Sequence, residues 1–154
     1  MHFENIKFIN YRNFKEYFLS FEKNCNILFG KNGSGKTNVL EGLSLFEKGR
    51  GFRKDKINNL IAVNSESKIF HINATLDNID NNFKVKVFNT DTNLKKISVN
   101  ENTENESIKY FESLFSIIYF LPEMERLFLS SPSARRNFLD RLVFSSFKKY
   151  NIYI

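Results

Sequence analysis

The sequence predicts an α/β fold in which a short buried strand runs into a phosphate-binding loop and a helix, with an antiparallel sheet alongside. Three observations predict it. Gly30-Lys31-Asn32-Gly33-Ser34-Gly35-Lys36-Thr37 satisfies the pattern G-x-x-x-x-G-K-[ST] at every fixed position. Asn26–Phe29, just before it, is an apolar run of strand length, and Val39, Leu40, Leu43 and Phe46 after it fall on one helical face. Further along, alternating segments separated by turn-rich residues have the pattern of paired strands.

The elements follow in order. Ile6, Phe8 and their polar neighbours alternate, giving a strand over roughly residues 2–9, and Asn10-Tyr11-Arg12-Asn13 is a turn. Tyr17, Leu19 and Phe21 alternate as a second strand, and Asn26–Phe29 is the third. The helix from Thr37 runs to about Lys48, where Gly49 and Gly51 stop it. Ile57 to Val63 is a short helix or turn. Ile69–Leu76, Phe83–Phe88 and Lys95–Val99 are strands, and polar Asn100–Ser107 is a loop. Ile108–Phe115 is helical, Ile117–Leu121 is a buried strand ended by Pro122, and Glu123–Phe128 is a short helix. Ser131 is the N-cap of a last helix with Pro132 in its first position and Leu139, Leu142, Val143 and Ser146 on one face. The expected division is a phosphate-loop subdomain over 1–60, an antiparallel β insertion over 61–121 and a helical segment over 122–154.

The motif has a direct chemical reading. Its glycines let the backbone wrap around a polyphosphate with the amide N–H groups pointing inward. Lys36 supplies an ammonium for the β- and γ-phosphates, Thr37 a hydroxyl ligand for Mg²⁺, and the helix its positive N-terminal end. The set Gly30, Lys31, Asn32, Gly33, Ser34, Gly35, Lys36 and Thr37 is therefore expected to bind ATP with Mg²⁺.

Composition bounds the rest. The 154 residues suffice for one modest domain, and 42% hydrophobic with 26% charged residues excludes a disordered chain. Eighteen Phe and six Tyr against no Trp point to an aromatic core. A net charge of +6 fits a polyanion partner and fits a lysine-rich solvated surface equally well. Lys48-Gly49-Arg50-Gly51-Phe52-Arg53-Lys54-Asp55-Lys56 carries five cations around one Phe, as a phosphate or DNA channel or as a solvated loop. The one cysteine, Cys25, precludes an internal disulfide and is expected as a buried structural thiol. His2 and His71 suggest no metal site. No 18-residue apolar run or signal-peptide core occurs, so a cytoplasmic location is expected.

The informative residues extend past the loop. The strand, Asn10-Tyr11-Arg12-Asn13-Phe14, two further strands and GKNGSGKTNVLEG together resemble the opening of SMC-like ATPase heads. Gly49-Arg50-Gly51-Phe52-Arg53, Phe120-Leu121-Pro122-Glu123 and Pro132-Ser133-Ala134-Arg135-Arg136-Asn137-Phe138-Leu139-Asp140 narrow the resemblance to the N-terminal half of the RecF family, over residues 1–147. Met124 stands where the family usually has an acid, and Ser130 or Ser131 where it has a glycine.

The resemblance implies an ABC/SMC-like head with a mixed core sheet and an adjoining antiparallel sheet. It implies an ATP-gated clamp on double- and single-stranded DNA in recombinational repair and replication restart. It also implies an ATP-dependent homodimer, recombination mediators as partners and no membrane. It assigns Arg12 to the loop that approaches the nucleotide, and Glu123 to the position near Mg²⁺ and the attacking water. No catalytic residue is assigned, because no signature sequence or apolar strand ending in paired acids occurs in these residues. The alternatives are a non-enzymatic remnant of such a protein, another SMC-like head, and an unrelated small kinase; no lid segment or second nucleotide motif supports the last.

Overall fold

The computed structural model describes residues 1–63, 65–79, 81–91, 93–129 and 131–146, apart from the side chains of Glu123, Arg126, Phe128, Phe144 and Ser146. The chain forms two compact units, one over Met1–Phe115 and one from Ser116 onward.

In the first unit, period-two alternation builds one antiparallel sheet. Its strands are β1 (His2–Tyr11), β2 (Phe14–Ser20), β3 (His71–Asp77), β4 (Asn82–Asn89) and β5 (Lys95–Val99), in the order β2-β1-β3-β4-β5. The register sets apolar residues side by side across four strands. Phe8 pairs with Ile72, Ile72 with Val87, and Val87 with Ile97; Ile6 pairs with Ala74, Ala74 with Val85, and Val85 with Val99. All eight are buried. A one-residue slip would turn the whole set to the other face, so burial of this face fixes the register. The row between them is polar, with Lys7, Asn73, Lys86 and Ser98 in line.

Helix α1 (Lys36–Ser44) meets the apolar face at Phe8, where Gly42 leaves no room for a Cβ beside the ring. Beyond the helix, Phe46 packs edge-on to Phe3, with centroids 5.3 Å apart. Helix α2 (Asn105–Leu114) contributes Phe111, which contacts Phe83 and stacks on Phe115 at 5.0 Å. The aromatic core that the composition suggests is thus shared by strands and helices. Lys95 of β5 ties the sheet to α1, donating from Nζ to the carbonyls of Leu45 at 2.9 Å and Glu47 at 2.5 Å. A cation beside the carbonyl end of a helix is favourably placed.

The strand order unites β1 and β2 with β3, β4 and β5 in a single sheet. β5 coincides with the expected Lys95–Val99. α1 stops at Ser44, short of Lys48, because the chain tightens there. The amides of Leu45 and Phe46 bond to carbonyls three residues back, and Ser44 Oγ donates to Glu41 O while accepting from the Phe52 amide. α2 begins three residues before Ile108, on an Ile108 N–H to Glu104 O bond of 3.2 Å.

Two apolar runs behave differently from expectation. Asn26–Phe29 and Ile117–Leu121 have no strand pairing among the described residues. Ile27 and Phe29 are 80% and 91% exposed, and Phe120 is 67% exposed. A parallel core strand needs hydrogen-bonded neighbours and cover on both faces, and neither run is paired with a described strand. Cys25, next to the first run, is exposed as well, which corrects the expectation of a buried thiol.

In the second unit, a 3₁₀ turn at Pro122–Leu129 precedes helix α3 (Pro132–Ser146). Ser131 caps α3 as expected, its Oγ accepting from the Ala134 amide at 3.3 Å. The Arg141 guanidinium lies over the Tyr119 ring at 4.3 Å.

Two outcomes test this packing. Gly42→Ala forces a methyl into the Phe8 ring and should destabilise the chain by about 1–3 kcal/mol in urea unfolding. Burial lowers the Lys95 ammonium from the ordinary 10.5 to about 8, outweighing the attraction of Glu112 and Glu47. Between those values the unfolded chain holds a proton that the folded chain has lost. Folding stability measured against Lys95→Met should therefore rise with pH across pH 8 to 10.5.

Candidate nucleotide-binding site

The loop from Gly30 to Gly35 leaves the exposed segment Asn26–Phe29 and ends at the first turn of α1. Gly35 is the N-cap of α1, with φ of +98°, and a Cβ there would stand 2.6 Å from Phe14 Cζ and 2.8 Å from Asn13 Nδ2. Only glycine meets both the left-handed backbone and the close approach of the β1–β2 turn. Residues Gly30 to Ser34 are exposed, as is Thr37. No side chain caps α1, so its first-turn amides and its positive end face the loop side.

Lys36 closes the loop on itself. Its Nζ donates to Gly30 O at 2.7 Å and Lys31 O at 2.8 Å. An ammonium has three donors, so one N–H remains for an anion. This places a cation, a helix N-terminus and a hydroxyl on adjacent residues, the donor set that a Mg²⁺-bound polyphosphate requires. The residues fit such a ligand: each can donate to phosphate oxygens, and Thr37 can ligate the ion.

Arg12 is engaged elsewhere. Its Nε and Nη2 donate to the two carboxylate oxygens of Glu41 at 2.9 and 2.6 Å, Nη2 also reaches Asp55 Oδ2 at 2.9 Å, and Nη1 reaches Asn59 O at 3.0 Å. Those contacts occupy four of the five guanidinium donors. Glu41 is fully buried, and it also accepts from Tyr11 OH at 3.2 Å and Arg53 Nη1 at 3.1 Å. Burial first, and then the Glu41 carboxylate, hold the Tyr11 phenol far above its ordinary range. Burial works against the Arg12 charge, but hydrogen bonds to Glu41 and Asp55 outweigh it and hold the guanidinium protonated. Hydrogen bonds from Asn59 and then Arg12 keep the Asp55 carboxyl low.

The network reaches the loop in short steps. Arg53 Nη1 also donates to Asn38 Oδ1, Asn38 Nδ2 donates to Asn13 Oδ1, and Asn13 lies against Gly35. The sequence-predicted residues thus divide. Gly30 to Thr37 come together as one loop and helix start, while Arg12 joins the Glu41 cluster. The backbone of Glu123 is part of the 3₁₀ turn, and its side chain lies outside the described residues. Sequence reasoning gave no role to Glu41, Asp55, Asn13 and Asn38, and treated Arg53 as part of a basic segment and of the family-like Gly49–Arg53 stretch.

Removing the Glu41 charge leaves two guanidinium groups facing one neutral amide. Glu41→Gln should cost about 3–5 kcal/mol in urea unfolding, whereas Glu16→Gln, which breaks the exposed pair with Lys7, should leave the midpoint unchanged.

The family model described as the RecF/RecN/SMC N terminal domain matches residues 2–115. The chain is 34% identical over 150 residues to the DNA replication and repair protein RecF of Rickettsia akari, covering 95% of this chain and 40% of that protein. It is 36% identical over 140 residues to RecF of Rickettsia typhi, covering 88% and 37%. The chain thus spans about two fifths of the length of these relatives. The solved structure of the recombination mediator protein RecF with ATP, in the RecFOR pathway, superposes with a TM-score of 0.78 at 28% identity, covering 98% of this chain and 40% of that one. The SMC head domain from Thermotoga maritima shares the fold, with a TM-score of 0.60 at 16% identity over 75% of this chain and 43% of that one. The family model spans about three quarters of the chain, which therefore belongs to the RecF/RecN/SMC N-terminal domain family, with RecF proteins among its relatives.

Proposed function

We propose that this chain is the nucleotide-binding part of an ATP-dependent DNA repair and replication protein. Gly30 to Thr37 bind ATP, with Thr37 ligating Mg²⁺, and ATP drives the pairing of two heads around DNA. The observation that carries the reading is Lys36. Its ammonium is held over the loop by Gly30 O and Lys31 O with a donor to spare, next to an uncapped helix start. Family membership supports it, as does the match to a RecF structure described with ATP.

When bound, Mg²⁺–ATP supplies the phosphoric anhydride whose γ-phosphate distinguishes the closed from the open pair of heads. The chain's own part is electrostatic. The loop amides and the α1 N-terminus meet phosphate oxygens, and Lys36 offsets their charge. Arg12 acts through Glu41, keeping the β1–β2 turn against α1, with one donor left for a phosphate or the base. Glu123 is proposed near the metal and water on the strength of the resemblance alone. No residue of this chain is assigned to proton transfer. DNA, mediator proteins and a second copy of the head are the proposed partners, and the proposed setting is the cytoplasm. No helix among the described residues is long and apolar enough to cross a membrane.

A second reading rests on the exposure of Ile27 and Phe29 directly upstream of the loop. It makes the chain a non-enzymatic remnant whose incompletely supported loop binds nucleotide weakly or not at all. Calorimetry with Mg²⁺–ATP decides between them. Wild-type binding that weakens about 10- to 100-fold in Lys36→Ala is expected, the value of a lost charge-assisted hydrogen bond of ~1.5–3 kcal/mol. A folded wild-type chain that does not bind overturns the proposal in favour of the second reading.

A further inference from the structure

A second basic site lies away from the phosphate loop. Past the end of α1, the chain turns through Lys48, Gly49 and Arg50 and faces β5 and the start of α2 across a cleft of about 540 Å³. Its walls carry Lys48, Arg50, Lys95 and Lys96 against one acid, Glu112. That leaves a surplus of three positive charges in a volume typical of ligand pockets.

The cations are of two kinds. Lys95 is committed to the carbonyls of Leu45 and Glu47 and holds the wall between β5 and the end of α1 in place. Its lowered proton affinity is that of a largely dehydrated ammonium with Glu112 and Glu47 nearby. Lys48, Arg50 and Lys96 are exposed, and their side chains form no ion pair or hydrogen bond among the described residues. This sets them apart from Arg12 and Arg53, which are spent on Glu41. Thr103 and Asn105 bring the beginning of α2 to the rim, and no side chain caps that helix. Ile97 and Ile108 provide an apolar floor. Free cations at the opening and apolar surface beneath suit a chain of phosphates joined by sugars and bases, and suit a string of carboxylates less well.

We infer that this cleft, between the end of α1, β5 and the start of α2, binds the phosphodiester backbone of a single nucleic-acid strand through Lys48, Arg50 and Lys96. The inference rests on the proposal that the protein binds nucleic acid, and it places that contact on a surface separate from Gly30 to Thr37. Lys95 joins the two surfaces mechanically, since the carbonyls it holds lie just past the end of the helix that begins at the phosphate loop.

The test is the salt dependence of binding a fluorescein-labelled single-stranded 20-mer, followed by anisotropy on the 154-residue chain. Three variants are compared with wild type: K48Q/R50Q/K96Q; K15Q/K23Q/K68Q, which removes the same charge outside the cleft; and Arg50→Gln alone. For single strands each phosphate contact contributes ~0.7 to the slope of log K against log salt. The cleft triple variant should therefore lose about 2 from the slope, and about 100-fold in affinity at 0.1 M salt. Arg50→Gln should lose about 0.7 from the slope, and the control triple variant should keep the wild-type value. Equal losses in the two triple variants overturn the cleft assignment and leave nucleic-acid binding in general standing. No binding by wild type overturns both. Competition by polyglutamate as strong as by unlabelled oligonucleotide, or displacement by inorganic pyrophosphate alone, also overturns it, by making the occupant an acidic peptide or a free phosphate.

Discussion

The buried carboxylate of Glu41 is the point on which the first unit depends. Four side-chain hydrogen bonds converge on it, from Tyr11, Arg12 and Arg53, and these come from the end of β1, the turn after it and the segment beyond α1. Asp55 joins through Arg12, so two acids balance two guanidinium groups. Burying such a cluster carries a large desolvation cost, and a hydrophobic replacement of equal shape can be as stable. What the cluster provides is geometry. It brings the end of β1, helix α1 and the segment beyond α1 to one spot with directional bonds, which apolar packing alone would leave freer to slide.

That geometry positions the phosphate loop. The loop is short, exposed and rich in glycine, and little within it resists motion. It is held from the α1 side. Gly35 is wedged against Asn13 and Phe14, α1 is docked by Gly42 on Phe8, and Lys36 draws Gly30 and Lys31 back over the helix start. Phe8 belongs to the apolar face whose register runs through to β5. A side chain deep in the sheet thus determines where the helix N-terminus points, and the helix N-terminus is what an anion meets.

How much of this could be read from the residues depended on the range of the interaction. Strands β3 to β5 follow from period-two alternation, and the N-cap Ser131 from local backbone chemistry, both of which a short window contains. The phosphate loop is legible because its pattern encodes backbone freedom and charge within eight residues. Glu41 was illegible for a specific reason. At about 100° per residue it stands about 200° around α1 from Val39, on the side that an amphipathic pattern assigns to solvent. It is buried by Arg12 and Arg53, which come from segments outside any helical window. Asn26–Phe29 fails in the opposite way. Its composition reads as a core strand, but a strand is defined by neighbours, and none of the described strands supplies them.

The exposed approach to the loop bears on how a ligand would act. Upstream of Gly30, Ile27 and Phe29 are exposed, and the two Lys36 bonds anchor the N-terminal limb of the loop. Those bonds use donors that a polyphosphate would also attract. A phosphate arriving at Lys36 either takes the third donor and leaves the limb pinned, or competes for all three and frees it. The first case makes binding nearly rigid. In the second, part of the binding energy is spent on ordering the limb again around the phosphates, and the observed affinity falls by that amount. Any neighbour that covered Ile27 and Phe29 would fix the limb independently of Lys36 and remove that loss. Support of the apolar run and affinity at the loop are therefore linked, and a partner strand could tighten nucleotide binding without touching the nucleotide.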